Sequence, residues 1–170
     1  MKPRKNDQRS KKIEERRLMN KNKQCAGMVD VSDKNITKRV AVAEGSISFT
    51  SKAYQALIKD GSPKGDVFET AKIAGIMAAK STPSIIPLCH PLALEKVKID
   101  FEKFPSKKII KVTAEVLCSG KTGVEMEALA AVSAACLTIY DMSKWMGQDM
   151  TISNIRVLHK SGGKSGDFNR

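Results

Sequence analysis

The chain is 170 residues long, enough for one domain with a substantial core and short for two, and its 30 Lys and Arg against 18 Asp and Glu give a net charge of +12. Residues 1–24 alone hold ten basic and three acidic side chains and almost nothing apolar, so they are predicted to be a disordered tail. Most of the charge is therefore no argument for nucleic-acid binding. No run of about 18 apolar residues marks a membrane span and no apolar stretch marks a secretory signal, so the chain reads as cytoplasmic.

Residues 25–170 are predicted to form a single catalytic α+β domain. Met28 to Ser32 reads as a short extended entry. Lys38 to Ala43 and Ser46 to Phe49 alternate as two strands around Glu44-Gly45. Lys52 to Lys59 is a modest helix closed by Asp60-Gly61. From Asp66 to Lys80, Val67, Ala71, Ala74 and Ala78 recur at helical spacing, with Asp66 as N-cap and Thr82-Pro83 as the stop. Val97, Ile99 and Phe101 alternate with charged residues, as do Ile110, Val112, Ala114 and Val116; Pro105-Ser106 is the turn that pairs them as an antiparallel hairpin. A long helix is predicted from Val124 to Met146, and Thr151 to Leu158 forms a last strand.

Three features carry chemistry. In Ile86-Pro87-Leu88-Cys89-His90-Pro91-Leu92 two prolines bracket a histidine and push their predecessors toward extended geometry. A rigid imidazole among apolar neighbours presents a proton carrier, or else simply caps a turn. The long helix bears Glu125 and Glu127 at its start, and Asp141 and Lys144 three residues apart near its end. That last pair is either a solvated ion pair or an enclosed proton donor and acceptor. Gly120-Lys121-Thr122-Gly123, Lys64-Gly65-Asp66 and Ser161 to Phe168 combine flexible amides with lysines, as phosphate-binding turns or plain surface turns do. A P-loop needs a glycine where Glu115 and Leu158 stand, so that motif is excluded. The four cysteines, Cys25, Cys89, Cys118 and Cys136, include no C-x-x-C pair and the chain has only two histidines, so neither zinc nor disulfides are expected.

In order along the chain, Lys64-Gly-Asp-Val-Phe, Ile86-Pro-Leu-Cys-His-Pro-Leu, Lys121-Thr-Gly-Val-Glu-Met-Glu-Ala-Leu, Tyr140-Asp-Met-Ser-Lys and Lys160-Ser-Gly-Gly-Lys-Ser-Gly-Asp-Phe form a series. That series closely resembles the cyclic pyranopterin monophosphate synthase (MoaC) family of molybdenum-cofactor biosynthesis. The resemblance implies a ferredoxin-like subunit with an antiparallel sheet packed against helices, assembled as a homohexamer of three dimers with sites at the dimer interface. It implies conversion of 3′,8-cyclo-7,8-dihydro-GTP, made by a radical partner enzyme, to cyclic pyranopterin monophosphate with release of pyrophosphate. No cofactor is required in that reading, and whether Mg²⁺ accompanies the triphosphate stays open.

Carried over by motif, the acid–base group comprises Asp141, Lys144, Lys64 and His90. Substrate contacts fall to Leu88, Cys89, His90, Glu125, Met126, Glu127, Arg39 and Lys160. The expectation from these residues is that Lys64 and Lys144, crowded by each other and by Arg39, have depressed pKa values. Asp141 would then orient Lys144 and act as a general base, and His90 would donate to a ring carbonyl or ribose oxygen. Two rivals are a nucleic-acid-binding module that uses the basic tail and a non-catalytic nucleotide-binding regulator. The sparse aromatics and the Pro-bracketed His90 weigh against the first, and the Asp141 and His90 proton carriers against the second.

Overall fold

The computed structural model describes residues 27–170; the predicted tail over 1–24 and Cys25 lie outside the described residues. Strands β1 (Thr37–Ser48), β2 (Leu94–Phe104), β3 (Ile109–Gly120), β4 (Thr151–Ser161) and β5 (Phe168–Asn169) form one sheet in the order β2-β3-β1-β4-β5. Every neighbouring pair is antiparallel. Helices α1 (Ser51–Asp60), α2 (Val67–Lys80) and the one-turn α3 (Thr82–Ile85) lie between β1 and β2, and α4 (Glu125–Ser143) between β3 and β4. This β-α-β-β-α-β succession, with β3 inserted between β1 and β2, is the split arrangement of ferredoxin-like α+β folds, as expected.

Alternation decides which face of each strand is buried. Ala41, Ala43 and Ile47 of β1, and Ile110, Val112, Ala114, Val116 and Cys118 of β3, turn toward the helices and are buried; their neighbours along each strand are mostly half-exposed. Val132, Ala135, Cys136 and Ile139 of α4 meet them. Each fully buried isoleucine among these stabilises the fold by about 1.5–3 kcal/mol.

Local chemistry sets the helix limits. Thr50 caps α1 by accepting from the Ala53 N–H, and Asp66 caps α2 by accepting from the Phe68 and Glu69 N–H groups, the role read for Asp66 from sequence. The β2–β3 hairpin turns at residues 105–108, also as read.

Three expectations are corrected. Glu44-Gly45 does not separate two strands: β1 runs unbroken through it, and since a Cβ at Gly45 would stand 2.6 Å from Val132 Cγ1, glycine there lets α4 approach the strand. The irregularity falls instead on β4, whose extra residues, with Asn154 at φ 57°, bulge the ladder opposite Glu44 and Ser46. Thr82-Pro83 does stop α2, but it also starts α3, since proline at a first turn forfeits no helical bond. The last strand continues past Leu158 to Ser161, where β5 folds back on it, and Met28 to Ser32 leads into β1 outside the sheet.

Candidate active site

Asp141 on the last turn of α4 holds two ammonium groups: Lys64 Nζ lies 2.6 Å from Oδ2 and Lys144 Nζ 2.8 Å from Oδ1. Lys144 follows three residues on, at the start of the 3-10 turn Lys144–Met146 that continues α4, whereas Lys64 reaches in from the connection between α1 and α2. The bond from Lys144, then that from Lys64, pulls the Asp141 carboxyl down to about 2. The same contact raises Lys144. The expected depression of the Lys144 pKa is thus corrected: its neighbour within this chain is an anion, not a crowd of cations. A carboxylate held between two ammonium groups orients those cations, the first of the two roles expected of Asp141.

A second group surrounds the start of α4. Leu88, Cys89 and His90 from the Pro-bracketed loop, with Glu125, Met126 and Glu127, line a cavity of about 450 Å³. The loop is non-helical, and Ile86, held extended before Pro87, ends α3 as its sequence requires. Glu127 is only 3 % exposed; burial, then repulsion from Glu125, raises its pKa, with its own backbone N–H pulling the other way. Burial also raises the Cys89 thiol, and the Glu127 charge adds to it, so Cys89 is a neutral contact rather than a nucleophile. His90 Nε2 donates to the Val29 carbonyl at 2.8 Å, because a carbonyl can only accept. With Nε2 engaged by Val29, Nδ1 is the ring atom left to meet a ligand.

The third group is cationic. Lys34, Arg39, Lys121, Lys160 and Lys164, against Asp33 and Glu125, line an adjoining cavity of about 660 Å³ that shares the wall of Lys34, Thr122, Gly123 and Glu125 with the second. Arg39 is buried, its Nε donating to the Gly120 carbonyl at 3.2 Å, and Lys160 Nζ pairs with Glu125 Oε1 at 3.0 Å. Two of the three glycine-lysine elements converge here, one from the start of α4 and one from the turn between β4 and β5. The third, at Lys64, does not. Gly162 sits at φ +83°, and its carbonyl accepts from Thr37 Oγ1 at 2.7 Å, fastening that turn over β1.

Glu125 and Asp141 are sixteen residues apart on α4, about 24 Å along the axis. Within one chain, then, His90, Glu127 and Arg39 sit near one end of the helix and Lys64, Asp141 and Lys144 at the other. The crowding of Lys64 and Lys144 by Arg39 does not occur inside a subunit. Sequence reasoning missed Lys34, Lys121 and Lys164 as cavity walls, although the glycine-lysine turns had flagged the last two. It also missed Glu127 as a raised carboxyl, which only burial reveals. Among the described residues, no three His, Cys, Asp or Glu side chains are grouped to hold a metal ion, and no helix is long and apolar enough to cross a membrane.

The fold and these groups define an α+β protein in which a cation-lined cavity adjoins one lined by His90, Cys89 and Glu127. The sequence pattern of the MoaC family matches residues 28–163, most of the chain, and the chain belongs to that family. It is an enzyme family of molybdenum-cofactor biosynthesis. Among solved structures, a mutant of the ferredoxin protease FusC in complex with Arabidopsis ferredoxin is 12 % identical with a TM-score of 0.32, over 61 % of this chain; this chain spans 10 % of that one.

Proposed function

We propose that the chain is a cyclic pyranopterin monophosphate synthase, converting 3′,8-cyclo-7,8-dihydro-GTP to cyclic pyranopterin monophosphate and pyrophosphate. The observation that carries this reading is the pair of adjoining cavities, one with five cations and the other with apolar walls and a raised carboxyl. A nucleoside triphosphate has the same two ends. Arg39, Lys121, Lys160 and Lys164 would hold the triphosphate, and Leu88, Met126 and Glu127 the heterocycle.

Ring closure on the α-phosphorus forms one P–O bond and breaks the P–O bond to the β-phosphate. The attacking hydroxyl loses its proton, and pyrophosphate leaves with the charge. The cations stabilise that developing charge. His90 Nδ1, the ring atom not engaged by Val29, and Glu127, whose hold on a proton burial strengthens, suit proton exchange with the substrate, and Lys144, kept charged by Asp141, suits donation to a leaving or ring atom. None of these steps exchanges electrons with a redox cofactor.

Because the two halves of this machinery lie at opposite ends of α4, the reading requires a second copy. One subunit would contribute Lys64, Asp141 and Lys144 and its partner the cavities, in dimers that further assemble as a hexamer. The test is incubation of the purified protein with the cyclised GTP intermediate, following pyrophosphate and the pterin product. Lys64→Ala and Asp141→Asn are each expected to lose about 10²- to 10⁴-fold in turnover. Near-normal turnover in both defeats the reading. Mixing Lys64→Ala with His90→Ala protein is expected to restore part of the activity, through mixed dimers with one intact composite site; no recovery defeats the shared site.

A further inference from the structure

The ion pair between Lys64 and Asp141 joins two separate elements, yet both side chains are about half exposed. An exposed lysine–carboxylate pair contributes little and holds no fixed geometry by itself, since a long flexible chain must be immobilised to make it. Something else has to fix the Lys64 backbone relative to the end of α4.

Ser62 does so. Its hydroxyl donates to the Met142 carbonyl at 2.8 Å and accepts from the Lys64 N–H at 3.2 Å. A serine hydroxyl has one proton and two lone pairs, so both bonds are satisfied together. The bond to Met142 spans 80 positions of sequence and lands on the residue directly after Asp141. The Gly65 N–H closes the turn by donating to the Ser62 carbonyl at 3.0 Å. One oxygen thus ties the main chain of the lysine to the main chain beside its carboxylate. We propose that Ser62 is a positioning residue, whose hydroxyl clamps the Lys64 loop onto the last turn of α4 and keeps the ammonium in register with Asp141. For its effect on turnover this rests on the reaction proposed above; for its geometry it does not.

The test compares full-length Ser62→Ala and Ser62→Thr with the parent. The first readout is water exchange of the lysine ammonium protons by ¹⁵N NMR. In Ser62→Ala, Lys64 exchange is expected to accelerate about three- to tenfold, the equivalent of one lost hydrogen bond, while Lys144, held from within its own helix, stays within twofold. With the cyclised GTP intermediate, kcat is expected to fall by a similar factor with KM within twofold, and Ser62→Thr, which keeps the hydroxyl, to restore both readouts. Unchanged Lys64 exchange in Ser62→Ala, or equal acceleration at Lys64 and Lys144, overturns the proposal. A parent protein that releases no pyrophosphate strikes the assigned reaction instead, and ammonium exchange then decides the role of Ser62.

Discussion

Gly162 offers a sharp test of how the cationic cavity is built. A Cβ at this position would lie 1.9 Å from the Lys38 carbonyl oxygen and 3.0 Å from its carbon. Ordinary C···O contact is about 3.3–3.6 Å, so Gly162→Ala demands a displacement of about 1.4 Å or more. β1 resists supplying it, because Lys38 is paired to Ser119 of β3 and the strand is held by β4 from Val40 onward. The turn between β4 and β5 must move instead. Holding alanine at φ +83° costs a further 1–2 kcal/mol or so, and loss of the Thr37 bond to the Gly162 carbonyl about 1 kcal/mol more. If triphosphate binding requires the native place of the wall carrying Lys160 and Lys164, a local penalty of about 2–3 kcal/mol corresponds to a weakening of about thirty- to 150-fold. Calorimetric titration with GTP, as a non-reacting triphosphate, measures this directly. Binding by Gly162→Ala within threefold of the parent would refute both the geometry and the role given to the turn.

Other outcomes follow from groups that burial or pairing has shifted. Tyr54 is 4 % exposed, and its hydroxyl has no partner among the described residues, so Tyr54→Phe, which keeps the edge contact with Phe49, is expected to stabilise by about 1 kcal/mol. A lower melting temperature would count against it. The Asp141 carboxyl is depressed to about 2, below its ordinary 3.8. Its contribution is therefore complete above pH 4 or so and is lost as pH falls toward 2, and urea midpoints across that window should fall less steeply for Asp141→Asn. For Glu127 the sign reverses. Its folded pKa is raised, so the folded state holds the proton more tightly and stability declines as pH rises above the unfolded value near 4.5. Glu127→Gln should remove that decline; parallel urea curves for parent and variant between pH 5 and 8 would contradict the assigned burial.

Local signals proved readable where one principle dominates. The Asp66 cap, the Pro87 restriction on Ile86 and the alternation of β2 and β3 all follow from neighbours within a few residues, and all appear as read. Gly45 misled because glycine marks both turns and close approaches, and the Val132 side chain that distinguishes them arrives from about ninety positions away. The charges misled for a similar reason. Lys64, Lys144 and Arg39 share one list of cations in the sequence, but Arg39 on β1 lies in the cavity at the start of α4 while Lys144 follows the end of that helix. The i,i+3 spacing of Asp141 and Lys144 did announce their ion pair, which raises the Lys144 pKa; what the spacing could not announce was the distance from Lys144 to Arg39. The bond from His90 to Val29 spans 61 positions and fixes which ring nitrogen is free, again beyond any local pattern.

The order of the sheet has a consequence for how the protein behaves in concentrated solution. One margin is β2, where Lys96, Lys98, Asp100, Glu102 and Lys103 crowd the strand with charge; the other is β4, which the two-residue β5 covers only at His159 and Lys160. A foreign strand seeking hydrogen bonds would meet desolvation of ammonium and carboxylate groups on one flank and, on the other, a β4 edge broken by its bulge and the positive φ of Asn154. The fold thereby resists growing edge to edge into aggregates, even though its long central strands are apolar enough to favour that fate if they were laid bare.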